Sequence, residues 1–324
     1  MIPRPGEWTE PPFVTVVVPT HNRRELLERL LDSLAAQAYP SDRFEVLVMD
    51  NASSDGTAAM VESRVPGAVH ALRLVPQNNR GPALSRHNGL RMARGEIVAF
   101  TDSDCTVTPD WIGAGVAAFA PGVGLVQGRT LPNPAQPRHL FERTIEVTRL
   151  GPVYETCNIF YRTADALEAG GFSGSYDYFG EDTYLAWRVL RMGRQAVFSP
   201  EALVHHEVFR ASLRQWLTEP RFAAAWPHMV KTIPELRAHL YHRYFLLRVT
   251  AMFDLALVGV ALAALAHPVF AALILPYAIT RYVECGRHRS PWLRLARILV
   301  GLPRALVLFT VLLYGSARHR SLVL

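Results

Sequence analysis

The sequence predicts an α/β protein: a mostly parallel sheet with helices on both faces, continued by membrane-associated helices. Three observations carry this. Short runs that are apolar throughout alternate with stretches of helical periodicity. The polar clusters of residues 1–240 fall at the ends of those runs, and from about Phe245 onward the chain becomes strongly hydrophobic.

Taken in order, "VTVVV" (Val14 to Val18) is a run suited to a strand buried on both faces. Pro19, Thr20 and His21 end it, and Asn22 with Glu25 three residues later has the form of a capping box. Leu27, Leu30, Leu31 and Leu34 then make one apolar helical stripe. "FEVLVM" (Phe44 to Met49) is a second buried strand, ending in "DNASSDG". A helix, a strand near Ala71 to Val75 and a helix from about Pro82 to Arg94 follow, with Gly95 as its stop. The run Glu96 to Phe100 is the fourth strand. Beyond Thr130 the pattern loosens to a Pro-rich loop, a strand in "CNIFYR" and the Gly- and aromatic-rich "GGFSGSYDYFGED", suited to closing over a substrate. A helix from Glu181 to Met192 and a strand-plus-loop in "AVFSPEALVHHE" complete the region. In such sheets ligands bind outside the carboxyl ends of the strands, where "PTHN", "DNASSDG" and "TDSD" lie.

The net charge of +6 comes almost wholly from arginine, Lys231 being the single lysine. Much of it lies beside hydrophobic runs in the last third, which favours a membrane surface over nucleic acid. The three scattered cysteines contain no CxxC pair, so neither a disulfide framework nor a zinc site is expected, and a reducing compartment fits. The N-terminus has no apolar h-region of a signal peptide. The first strand lacks G-x-G-x-x-G, which argues against a NAD-dependent enzyme.

Asp102 and Asp104 end the fourth strand one residue apart. On extended backbone they would share one side and crowd two negative charges together, so a cation is expected between them. Hard oxygen ligands suit Mg²⁺ or Mn²⁺; the alternative is a pair of turn formers. Glu181 and Asp182 begin a helix, where its dipole alone favours acids. Adjacent His205 and His206 would point oppositely on extended backbone, so one of the two at most can serve a common site.

The blocks "VTVVVPTHNR", "VLVMDNASSDGT", "NNRGPALSRHNGLRMARGEIVAFTDSD" and "GEDTYLAWRVLRMG" resemble, in wording and order, the family 2 glycosyltransferases over residues 12–210. The resemblance implies a GT-A, Rossmann-like catalytic domain over residues 1–210; the composition of the rest of the chain predicts amphipathic, basic linker helices over 211–248 and a membrane-associated region over 249–324. The resemblance also implies a nucleotide-sugar donor, UDP-linked in the commonest case, and Mn²⁺ or Mg²⁺. Pro19, Thr20, Asn22 and Asp50 would hold the nucleoside, although Asp50 also suits a turn. Asn79, Arg80, Arg86 and Ser103 would lie near the nucleotide, although Arg86 also suits a solvated helix face. Asp102 and Asp104 look like the family's D-x-D, with His205 or His206 as a third metal ligand. Asp182 would be the catalytic base of an inverting displacement and Glu181 would bind acceptor hydroxyls. A desolvated pocket of Tyr176, Tyr178, Phe179 and Trp187 would raise the base's pKa.

Two departures refine this. "RQWLTEPRFAAAW" is not the processive enzymes' Q-x-x-R-W, so single-sugar transfer is expected. "DSDCTVTPDWI" differs from the "DADLQHPP" pattern of polyprenyl-phosphate sugar synthases and points to a lipid-linked or surface glycan acceptor. The competing readings are a polyprenyl-phosphate glycosyltransferase and an inactive, glycosyltransferase-like membrane scaffold.

The tail carries apolar runs Val249 to Ala266, Val269 to Val283 and Ile298 to Ala317. The first two read as a hairpin, and Asp254 within it is costly in hydrocarbon. Residues 281–297 hold five arginines against one glutamate, which marks them as cytoplasmic. The expected location is the inner or plasma membrane, with the catalytic domain in the cytoplasm and membrane lipid as a partner.

Overall fold

The computed structural model describes residue 8 and residues 10–78, 80–172, 180–284 and 291–324. Residues 1–137 with 144–208 form one compact unit, and residues 138–143 with 209–324 a second.

The first unit runs β1 (Val14–Thr20), α1 (Arg24–Ala35), β2 (Phe44–Asp50), α2 (Thr57–Arg64), β3 (Ala71–Pro76), α3 (Pro82–Met92), β4 (Ile97–Thr101), β5 (Cys105–Val107), α4 (Trp111–Ala117) and β6 (Val123–Pro132). After β7 (Glu142–Arg143), which belongs to the second unit, come β8 (Asn158–Arg162), α5 (Thr163–Glu168), α6 (Glu181–Arg191) and β9 (Gln195–His206). The sheet order is β3-β2-β1-β4-β8-β6-β9-β5. Strands β1 to β4 are mutually parallel, whereas β8 runs antiparallel to both β4 and β6, and β5 antiparallel to β9. All seven positions of β1 and of β2 are buried, as expected of strands covered on both faces. The even residues of β1 meet Leu27, Leu30, Leu31 and Leu34 on one side of the sheet; Val17, Leu47 and Phe100 meet Leu90, Leu185 and Val189 on the other.

The sequence reading missed β5, α4, β6 and α5. Glycine interrupts α4 and β6, and β5 and α5, at three and six residues, are too short for a periodicity to show. Gly95 was expected to stop a helix, but α3 ends at Met92. A Cβ at Gly95 would lie 2.6 Å from Phe13 O and Thr15 N, so the residue permits the chain to turn tightly into β4 beside β1.

A fully buried asparagine holds the mixed half of the sheet. Asn158 Oδ1 accepts from Trp111 Nε1 at 2.8 Å, and its Nδ2 donates to Arg129 O and Ala202 O, each at 2.8 Å. One side chain thus ties α4, β6 and β9 to β8.

In the second unit β10 (Phe209–Arg210) pairs antiparallel with β7, and α7 (Leu213–Thr218) opens with a capping box at Ser212. Helices α8 (Trp226–Thr232), α9 (Arg248–Leu265), α10 (Leu275–Glu284) and α11 (Pro291–His319) follow. The run Val269 to Val283 is not one continuous helix. Pro268–Ile274 forms 3₁₀ turns and only then does α10 begin. The third apolar run lies in α11, which continues through Pro303. Arg248–Leu265 and Ile298–His319 are long and apolar enough to cross a membrane, with mean hydropathies of 1.8 and 2.0.

Asn158→Ala is expected to leave the buried Trp111 Nε1–H and two carbonyls without partners and to cost about 2–4 kcal/mol of stability. A fall in the thermal unfolding midpoint checks this; an unchanged midpoint would mean the network carries no weight.

Candidate active site

The carboxyl ends of β1, β2 and β4 stand side by side, and the loops after β1 and β2 interlock. Asn51 N donates to Thr20 O at 2.9 Å, Asn22 Oδ1 accepts from Ser54 N at 2.7 Å, and Asn22 N donates to Ser53 Oγ at 2.9 Å. Asn22 adopts a φ of 50°, in the left-handed region that asparagine tolerates. It therefore does not cap α1. The cap comes from the neighbouring loop, where Asp55 Oδ2 accepts from Arg24 N at 3.1 Å, because the second loop folds over the first. Pro19 and Thr20 are buried at the end of β1. Asp50 is buried too, and its carboxylate accepts from Ser53 N at 3.3 Å and from Ser53 Oγ, the turn role open to an Asx residue. The hydroxyls of Thr20 and Thr101, at the ends of β1 and β4, are buried and meet no hydrogen-bond partner among the described residues.

Strand β4 stops at Thr101, so Asp102 and Asp104 lie in the turn beyond it and the alternation expected of extended backbone does not govern them. Each carboxylate has its own cation. Asp102 Oδ1 lies 2.7 Å from Arg86 Nη2, and Asp104 pairs with Arg23 through Nη1. Ser103 is buried between them.

Pairing of β5 with β9 sets Cys105 opposite His206 and Thr106 opposite His205. His206 Nε2 thereby comes to 3.8 Å from Asp104 Oδ1, while His205 lies near Arg129, its pKa pulled down by burial and by that charge. His206 Nδ1 is 2.8 Å from Glu207 O. A carbonyl only accepts, so Nδ1 is the nitrogen that carries a proton there, and Nε2 is the nitrogen on the side of Asp104. Asp104, Cys105 and His206 offer ligand atoms within 4.8 Å of one another. Burial pushes the Cys105 thiol well up. The Asp104 carboxylate is a hard donor of the kind Mn²⁺ or Mg²⁺ takes, and a neutral imidazole can join it.

Arg86, 6% exposed, reaches two motifs at once: its Nη1 donates to Glu181 Oε1 at 2.9 Å and its Nη2 to Asp102. Burial alone would lower its pKa, and Asp102 and Glu181 more than offset this. Asp102 is held below the usual carboxylate range because Arg86 outweighs its own burial. Asp182 behaves oppositely. Burial and then the neighbouring Glu181 push it from 3.8 to about 7, despite a hydrogen bond from Thr183 N.

Several functional residues escaped the sequence reading. Arg23 pairs with a residue far along the chain, and no local spacing signals that. Glu155, with its own pKa raised by burial, lies near enough to raise Asp182 further. Glu207 anchors the turn after His206 through Arg29 at 2.8 Å, Gln136 at 2.6 Å and Asn133 at 3.0 Å. Arg80 is exposed and makes no ion pair among the described residues, so it is not brought into the acid cluster. Asn79, Tyr176, Tyr178 and Phe179 lie outside the described residues; Trp187 donates to Pro152 O at 3.0 Å and packs edge-on to Tyr154.

One arginine thus joins two acidic motifs, one in the turn after β4 and one at the start of α6. The chain belongs to glycosyl transferase family 2, whose sequence profile matches residues 15–219, and it is a glycosyltransferase. Among curated relatives it is 28% identical to glycosyltransferase AglE of Haloferax volcanii over 60% of this chain and 67% of that protein. It is 30% identical to the pre-mycofactocin glycosyltransferase of Mycobacterium tuberculosis over 68% of this chain, spanning 48% of that relative's length. Among solved structures, the mannosyltransferase PcManGT of Pyrobaculum calidifontis, in complex with GDP-Man and Mn²⁺, superposes with a TM-score of 0.58 at 22% identity, covering 98% of this chain and 90% of that one. TarS 1–349 of Staphylococcus aureus, in complex with UDP, gives 0.51 at 21% identity, covering 95% and 92%. At these identities the structural likenesses speak to the fold.

Because Asp182 is raised, the folded chain keeps a proton that the unfolded chain has lost between pH 3.8 and about 7. Stability from this group is complete below that window and falls as pH rises through it. Asp182→Asn is expected to flatten this part of the pH–stability curve. Unfolding midpoints of both proteins at several pH values measure it, and parallel curves would contradict the assignment.

Proposed function

We propose that this glycosyltransferase moves a single sugar, with inversion, from a nucleoside diphosphate sugar to a hydroxyl of a lipid-linked or surface glycan. A UDP-sugar is the donor favoured by the family resemblance, and Mn²⁺ or Mg²⁺ is the ion. The observation that carries the reading is the Arg86 bridge. It joins the turn after β4 to the first turn of α6, where Asp182 has a pKa of about 7. A general base works best near the ambient pH.

Asp182 takes the proton of the acceptor hydroxyl as that oxygen attacks the anomeric carbon; the bond from that carbon to the diphosphate oxygen breaks on the opposite side. Glu181, oriented by Arg86, faces acceptor hydroxyls. Thr20, Asn22 and Asp50 hold the nucleoside, and the orphaned hydroxyls of Thr20 and Thr101 supply donors for a bound ligand. Arg86 and Arg23 place fixed positive charge where the diphosphate departs, electrostatic work that needs no reorganisation. Asp104 and His206 Nε2 would hold the ion, with Asp102 beside them; the ion's charge offsets that of the leaving group. The apolar helices of the second unit seat the enzyme on the inner or plasma membrane beside such an acceptor, with the catalytic domain in the cytoplasm.

Transfer assays over a panel of nucleotide sugars with and without Mn²⁺ test this reading. Asp182→Asn is expected to lower kcat by about 10²- to 10⁴-fold while nucleotide binding persists. Asp104→Ala is expected to abolish the Mn²⁺-dependent thermal shift given by the nucleoside diphosphate. Transfer untouched by both substitutions would refute the proposed roles, and no turnover with any donor would favour a scaffold.

A further inference from the structure

The second unit contains a helical hairpin whose polarity is graded from base to tip. Helix α9 and the returning 3₁₀ turns and α10 pack against each other. A Cβ at Gly259 would lie 2.7 Å from Leu273 Cβ, and the rings of Phe253 and Tyr277 are 5.3 Å apart. These pairings make the two legs antiparallel about His267. Residues 255–266 and 268–279 carry no charge, whereas Arg248, Asp254, Arg281 and Glu284 all lie nearer the base. The tip is open and carries His267, its Nδ1 accepting from Val269 N at 3.2 Å, between exposed apolar residues: Leu265 is 87% exposed and Val269 62%.

The base is cationic. Lys231, Arg243, Arg248, Arg318 and Arg320 are exposed there, and Glu235 is the one acid in residues 226–248 and 318–324. Hydrogen bonds lace these segments together, Lys231 Nζ to His319 O at 3.0 Å and Leu246 N to Leu324 O at 2.6 Å. His242, Arg243 and Arg320 hold positive φ values of 49°, 70° and 51°, a strain that non-glycine residues rarely keep without cause.

Depth discriminates between spanning and dipping. Along α9 the eleven uncharged residues 255–265, at about 1.5 Å each, reach about 17 Å. The hydrocarbon of a bilayer is about 30 Å thick, about 15 Å per leaflet. The uncharged part of the hairpin thus matches one leaflet. A full crossing would carry Asp254 and Arg281 into hydrocarbon and leave the apolar residues of the tip in water. Helix α11 is held by the same unit. Its C-terminal half runs beside the charged segment 216–231, with Arg304 Nη2 at 2.8 Å from Glu219 Oε2 and Gly315 against Ala224.

We infer that the hairpin inserts into a single leaflet of a bilayer with anionic headgroups, its tip in the hydrocarbon and its basic base at the phosphates. The unit is monotopic, and α11 lies along the surface. This rests on the membrane-associated reading above.

The test uses the full chain in sealed membrane vesicles of both orientations, with a membrane-impermeant maleimide. The background is Cys285→Ser, since Cys105 and Cys157 are buried. Leu247→Cys, at the base, is expected to be modified from one face only. His267→Cys and Val269→Cys, two independent tip positions, are expected to resist modification from either face until detergent is added. Modification of both tip positions from the face opposite Leu247→Cys would show a spanning hairpin and overturn the inference. Modification of both from the same face would show that the hairpin does not insert, and overturn it equally. Recovery of the unsubstituted chain in the soluble fraction would instead remove the membrane reading itself.

Discussion

A guanidinium buried between Asp102, just past the end of β4, and Glu181, at the start of α6, is the contact on which the catalytic unit depends. Taking a charge of that kind out of water costs several kcal/mol unless it is paired. Arg86 is paired twice, and the two carboxylates would otherwise repel across the same space. The bridge therefore holds together segments nearly eighty residues apart in the chain. Asp182, one residue beyond Glu181, is raised to about 7 by burial and by the Glu181 charge, which outweigh the pull of Arg86.

The opposite side of the site is organised by strand register. Because β5 is antiparallel to β9, a residue just after the turn that holds Asp104 faces a residue near the end of β9. A slip by one residue would bring His205 to Asp104 in place of His206. The short β5 therefore does more for the site than its three residues suggest, and Glu207, tied to three side chains, holds the turn that follows.

The second unit follows a different rule. Its helices leave leucines, valines and isoleucines exposed rather than packed, and its charges collect at one end of the hairpin. Segregation of this kind suits an interface between hydrocarbon and headgroups better than water alone. An enzyme whose acceptor carries a lipid anchor gains from lying on the surface where that acceptor is confined.

The parallel half of the fold was legible in the residues themselves, since strands buried on both faces must be apolar throughout and amphipathic helices must repeat with their own period. The Asp102 and Asp104 pair was legible for a related reason: charged residues at the end of a buried strand are costly without a partner, so they stand out. The partner of each acid was not legible. Arg23 and Arg86 are ordinary helix-associated arginines in the chain, and only folding brings them to Asp104 and Asp102. Which of two adjacent histidines faces Asp104, the loop-to-loop cap on α1 in place of a local capping box, and the raised pKa of Asp182 likewise come from tertiary structure. Pairing register, burial and charge proximity act between residues far apart in sequence, and a one-dimensional pattern holds no distances between them.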